Sequence, residues 1–202
     1  MDAGNMQLTT LQKFLWAAVA VALVAVGAVF LLVDRSPEPI AQAAFRPTFS
    51  LPDAGGRLRT PADFEGKHLL VFFGFTNCPD ICPTTLAEVA QVMDDLGDQA
   101  GEVQPLFISI DPERDREMGL AEYTEAFHPS ILGLAGDAAQ TRAAADSFRI
   151  YYEREANLEA LDGYAMSHSP GLYLISPEGD WLGQFTYGTP ASEIVADLQA
   201  RL

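Results

Sequence analysis

Cysteine, histidine and positive charge are what this chain has least of: two Cys, three His, and 12 Lys plus Arg. Each scarcity excludes something. Two cysteines cannot build a disulfide-stapled scaffold or a four-thiolate zinc site, so they act as one pair or as two single thiols. The 12 basic residues face 28 Asp plus Glu, a formal charge of -16. Such a surface repels phosphate backbones, and nucleic acid is not an expected partner. Internal repeats and low-complexity tracts are absent, and 202 residues leave no room for two large domains. What remains is 49% hydrophobic and 20% charged, too apolar for disorder and long enough to bury a core.

One long hydrophobic run is present. Phe14 to Val33 reads FLWAAVAVALVAVGAVFLLV, about 20 uncharged residues, which at ~1.5 Å per residue match a ~30 Å hydrocarbon core. The expectation is a cytoplasmic head over 1–13, a transmembrane helix over 14–33, a tether over 34–44 with Pro37 and Pro39, and an exported domain over 45–202. A cleaved secretory signal is the rival, with Ala41-Gln42-Ala43-Ala44 as its cleavage site, but its apolar stretch would be only ~7 to 15 residues. Lys13 and Arg35 flank the run almost symmetrically, so the short head decides the topology. A single-pass protein of the bacterial inner membrane follows, with its C-terminal domain, and nearly all its acidity, in the periplasm.

The remaining pattern alternates strands and helices. Phe45 to Arg59 suggests a small hairpin around Asp53-Ala54-Gly55-Gly56. His68 to Phe75 is a nearly continuous apolar run, as in a strand covered on both faces. Leu86, Val89, Ala90, Met93 and Leu96 recur at helical spacing up to Gly97. Gln104 to Ile110 reads as a second buried strand, 117–127 as a helix, and 131–134 as a short segment. A helix over 137–148 and a strand over 149–152 follow. Leu172 to Ile175 and Trp181 to Phe185 form a hairpin about Ser176-Pro177-Glu178-Gly179, and Pro190 to Leu202 a last helix. The fold class is α/β, a mixed sheet flanked by helices.

Cys78 and Cys82, in FTNCPDICPTT, fall between the first buried strand and its following helix. Strand carboxyl ends carry the ligand-bearing loops of such sheets, and a helix start supplies free N–H groups and partial positive charge. Pro83 is tolerated only in a first turn, which places Cys82 at the helix start. The four-residue spacing stacks the sulfurs about one turn apart, able to clasp one metal ion or to oxidise to a disulfide. A permanent bridge closing so small a loop restrains little of the unfolded chain. His68 and His128 read as a strand start and a helix end. His168 lies in YAMSHSPGLYLISPEG, read as a loop ahead of the strand at Leu172.

The segments VFFGFTNCPDICPTTL, FISIDPERD and SHSPGLYLISPEG, in this order behind one N-terminal anchor, strongly resemble the SCO/SenC family of membrane-tethered, thioredoxin-like copper proteins. The resemblance covers about Phe45 to the end. It implies that the thiolates of Cys78 and Cys82 and the imidazole of His168 bind copper, and that the copper goes to the binuclear copper (CuA) centre of cytochrome c oxidase. Alternatively, the pair reduces that centre's cysteines before loading. The copper-bearing oxidase subunit is the implied partner, with other copper carriers upstream. Two thiolates and an imidazole suit Cu(I), and the imidazole with open positions also admits Cu(II). A structural zinc site wants four protein ligands, and three are found.

Some residues depart from the family pattern or leave their role open. Ser167 stands where the family often has an acid, and Arg116 where it more often shows Thr. Asp80 reads as a capping carboxylate and Met166 as core. Pro170 falls where thioredoxin folds carry a cis proline. Asp111, Arg114 and Asp115 shape either a loop or a partner surface. The competing function is a thiol-disulfide oxidoreductase without obligatory copper, its redox pair being Cys78 and Cys82. A peroxide-reducing enzyme would need an activated Cys supported by Thr and Arg, and Thr76, Thr84 and Thr85 fit no clear pattern.

Overall fold

A computed structural model describes residues 9–32, 45–157 and 163–202, in a chain that divides into two units, Met1–Gln42 and Ala43–Leu202. The first unit contains helix α1, Thr10–Leu32, whose one charge is Lys13. Its described side chains are exposed, Phe14, Trp16, Leu23 and Val24 among them. The last residue of the expected span, the tether over 34–44 and residues 1–8 of the head lie outside the described residues, and described side chains in α1 end at residue 28. Among the described residues, no helix is long and apolar enough to cross a membrane.

The second unit is built on a five-stranded mixed sheet in the order β5-β4-β3-β8-β9. A small antiparallel pair, β1 (Leu51–Pro52) and β2 (Leu58–Arg59), precedes it. Strand β3, His68–Gly74, is buried at every residue, because it is central and covered on both faces. It runs parallel to β4 (Val103–Ser109) and antiparallel to β8 (Leu172–Ile175). Short β5 (Leu132–Leu134) flanks β4 in parallel, and β9 (Trp181–Phe185) closes the other edge. Phe72, Phe73, Phe107, Leu106 and Ile108 form the fully buried centre.

Helix α2, Ile81–Leu96, makes the crossover from β3 to β4, turning Leu86, Val89, Val92, Met93 and Leu96 inward. Gly97, at φ 54°, ends it in a conformation that costs glycine little. Helix α5, Ala138–Phe148, starts on a capping box in which Asp137 and Gln140 each accept the other's backbone N–H. Helix α6, Ala191–Gln199, is tied to α2 by the Glu88 carboxylate, which accepts the Ala191 N–H at 2.9 Å.

Four expectations need correction. The helix expected over 117–127 is two helices, α3 (Pro112–Glu117) and α4 (Leu120–Glu125), broken where Gly119 turns left-handed at φ 77°. No strand begins at residue 149: Arg149 takes the left-handed conformation that closes α5, and the strand β6 is Tyr152–Ala156. His168 is not in a loop but ends a strand, β7 (Tyr164–His168), which pairs antiparallel with β6 as a separate hairpin. In this hairpin Tyr152 faces His168, Arg154 faces Met166 and Ala156 faces Tyr164, so these six share one face. Among the described residues no peptide bond is cis, so the expected cis proline at Pro170 is absent.

Candidate metal centre

The cysteines sit just beyond the carboxyl end of β3, where a turn closes with the Cys78 N–H donating to the Phe75 carbonyl at 3.2 Å. Cys78 precedes α2, while Cys82 is the second residue of its first turn; the pair is therefore not stacked within one helix. Asp80 occupies the N-cap position, yet its side chain makes no capping bond. The sulfur of Cys78 takes that role, accepting the Cys82 N–H at 3.4 Å. A helix-start amide thus points at the thiolate, favouring its charge. Both cysteines are free, Cys78 half-buried and Cys82 fully buried.

The two thiols share one proton unequally. Cys78 is lowered to about 4, first because Cys82 donates a hydrogen bond to it, and further by donation from the backbone N–H groups of Asp80 and Cys82. Cys82 is raised strongly by that same bond and by burial. At neutral pH this leaves an exposed-side thiolate and an inner thiol.

His168 reaches the pair from the hairpin. Its Nε2 stands 3.9 Å from the Cys82 sulfur, and its Nδ1 lies 3.0 Å from the Ser169 carbonyl. A carbonyl only accepts, so Nδ1 carries a proton and Nε2 of the neutral ring presents its lone pair towards the sulfurs. The rings of Phe72 and Phe75 meet the imidazole edge-on at 6.0 and 6.1 Å, walling the site in apolar surface. A trigonal centre with metal–sulfur bonds near 2.3 Å and metal–nitrogen bonds near 2.0 Å holds such donors roughly 3.7 Å apart. The observed approach is a metal's width, too long for a good hydrogen bond. Among the described residues no three or more His, Cys, Asp and Glu side chains are already gathered as a metal cage; the donors are arranged around the place rather than closed on it. Two sulfurs and one imidazole fit a soft monovalent ion and leave a position open.

Gly74 gives the inner sulfur its space. A Cβ there would lie 2.9 Å from both the Cys82 sulfur and Phe107 Cε2, closer than packing allows. The loop before Cys78 is held from below by Asp115, which is fully buried. Its carboxylate accepts from the Thr76 N–H at 2.9 Å, the Thr76 hydroxyl at 2.7 Å and the Ser109 hydroxyl at 2.6 Å. Burial pushes the Asp115 carboxyl up in spite of these donors.

The remaining sequence candidates fall elsewhere. His68 begins β3, at the opposite end from the cysteines, and is buried; His128 bonds Ser130. Ser167 points to the outer face of the hairpin, where its hydroxyl donates to Glu155 at 2.7 Å. Met166 shares the His168 face and packs partly buried against the core. Sequence reasoning missed Tyr164 and Arg154, which meet Asp111 and Arg114 beneath the hairpin. The signal was available: Tyr164, Met166 and His168 alternate at period two.

The family profile described as SCO1/SenC matches residues 37–202. The chain belongs to the SCO1/SenC family. Among its relatives, "Protein SCO2 homolog, mitochondrial" of Bos taurus is 41% identical over 172 residues, covering 84% of this chain but 64% of that protein. This chain therefore spans just under two thirds of that relative's length. The "SCO2-like protein" of Rickettsia felis is 34% identical, with 88% of this chain and 91% of the relative covered. Bradyrhizobium japonicum ScoI, solved with copper bound, is 36% identical and superposes with a TM-score of 0.71 over 79% of this chain and all of that one. The SCO1/SenC domain here is thus the thioredoxin-like Sco fold.

Proposed function

We propose that this SCO1/SenC protein is a copper-binding metallochaperone that assists assembly of the CuA centre of cytochrome c oxidase, holding its cargo with Cys78, Cys82 and His168. The observation that carries the reading is the approach of a bare imidazole nitrogen to within 3.9 Å of a sulfur in a relative of a copper-bound Sco protein. Cys78 is already a thiolate and needs no base before binding. Copper is handed on by stepwise exchange: a thiolate or imidazole of the oxidase subunit takes the open position, and a Sco ligand then leaves. Upstream carriers load the site by the reverse order.

We place the domain on the outer side of the bacterial inner membrane, anchored by the run over 14–33. Its support is the sequence run from Phe14 to Val33, about 20 residues without a charge, whose described part does not by itself make a membrane-crossing helix.

A second reading is favoured by the unequal thiols. The Cys78 thiolate attacks a partner disulfide, one partner sulfur leaving as thiolate, and a mixed disulfide forms. Cys82 then loses its proton and attacks Cys78, releasing the reduced partner and leaving a Cys78–Cys82 disulfide. Two electrons pass to the partner.

Titration of the reduced full-length chain with Cu(I) and Cu(II), beside Cys78→Ser, Cys82→Ser and His168→Ala, separates the two. One equivalent bound, with His168→Ala weakening copper but sparing disulfide exchange, is the expected result. No copper binding by the wild type would promote the reductase.

A further inference from the structure

The third ligand is carried by the least embedded element of the domain. Strands β6 and β7 pair with each other and not with the five-stranded sheet, and β6 is exposed from Glu153 to Ala156. Under their inner face lies a polar cluster unlike the apolar attachments elsewhere. Asp111, at the start of α3, is 1% exposed. It accepts the Tyr164 hydroxyl at 2.9 and 3.1 Å, Arg114 Nε at 3.1 Å and Arg154 at 3.4 Å. Arg114 Nε also donates to the Tyr164 oxygen at 3.0 Å. Both guanidiniums lie over the Tyr164 ring, at 3.9 and 4.0 Å from its centroid.

We propose that Asp111, Arg114, Arg154 and Tyr164 are positioning residues that fasten the hairpin to α3 and thereby set where the His168 imidazole stands relative to Cys78 and Cys82. The inference rests on the copper-binding reading of that site. Stability alone is a poor reason for such a cluster, since a buried ion pair commonly does no better than apolar residues of the same volume. Its forked, directional bonds do fix geometry. The attachment also falls on the right element. Helix α3 supplies Asp111 and Arg114 to the histidine hairpin, while its Asp115 holds the loop that precedes Cys78. One short helix therefore sets the spacing between the two halves of the centre.

Tyr164→Phe tests this, because it keeps the ring under both guanidiniums and removes the hydroxyl by which the hairpin donates to Asp111 and accepts from Arg114. The full-length chain is compared as wild type, Tyr164→Phe, His168→Ala and the double variant, with Cu(I) affinity read by competition against a chelator and folding checked by thermal melting. The expected result is a loss of about tenfold in affinity, the scale of ligand-orienting partners, that shrinks below about twofold when His168 is already Ala. An equal loss in both backgrounds, or none in the wild-type background, overturns the proposal. Nitrogen-15 spectra of the His168 ring in the copper-free chain give a second reading. The Nδ1–H form is expected in the wild type and an averaged ring in Tyr164→Phe; identical ring signals overturn the proposal. If Tyr164→Phe fails to fold, Arg154→Gln, half-exposed in the wild type, takes its place in both experiments. A wild type that binds no copper sinks the chaperone reading, and the ring spectra then decide the positioning role by themselves.

Discussion

The five-stranded sheet and the β6–β7 hairpin position the cysteines and His168 by different physics. The sheet presents the cysteines from the end of its most buried strand, where Gly74 and Phe107 confine the Cys82 sulfur. The hairpin presents His168 from exposed strands held down by ionic and tyrosine contacts. Packing fixes the sulfurs; directional polar bonds fix the imidazole. In the proposed copper donor, the two sulfurs stay rigid and the imidazole sits on a part that can shift without disturbing the core.

The largest expected contrast is in the thiols. With Cys78 lowered to about 4, its alkylation by iodoacetamide should stay nearly flat from pH 8 to pH 5, whereas an ordinary thiol is only ~0.3% ionised at pH 6. The sign for stability follows. The folded pKa is depressed, so the contribution of Cys78 is complete above its ordinary value of 9.0 and is lost as pH falls through about 4. Thermal melts of wild type and Cys78→Ser across that window measure it.

Removing either sulfur should cost more than the ~100-fold in Cu(I) affinity that orienting residues cost, and His168→Ala should cost less than either, as measured by chelator competition. If the histidine proved as costly as a cysteine, the division between rigid and adjustable ligands would be wrong. Gly74→Ala tests the packed half: a Cβ meeting two atoms at 2.9 Å should destabilise the domain by about 1–3 kcal/mol in chemical denaturation. The smallest effect belongs to Ser167→Ala. Its hydroxyl pairs with Glu155 on the outer face, so copper affinity should be unchanged and stability should move by no more than about 0.5 kcal/mol.

The same division governs what could be read from the amino acids. Strand β3 announces itself because burial on both faces demands an unbroken apolar run, and Pro83 with the periodic apolar positions of α2 brackets the cysteines. The β8–β9 hairpin was legible from its turn. Strand β6, YEREA, was not, since exposed strands carry no apolar alternation and its Arg154 answers to Asp111, 43 residues away in the chain. Gly119 was equally silent within a helical pattern. For Asp111, Arg114 and Asp115, whose roles the sequence left open, the answer is three-dimensional: two grip the hairpin and one grips the cysteine loop.

X-ray absorption of the full-length chain loaded with one equivalent of Cu(I) tests the central geometry most directly. The account predicts two sulfur neighbours near 2.3 Å and one imidazole nitrogen near 2.0 Å, the nitrogen disappearing in His168→Ala. A two-sulfur spectrum without imidazole in the wild type, unchanged by His168→Ala, would contradict it.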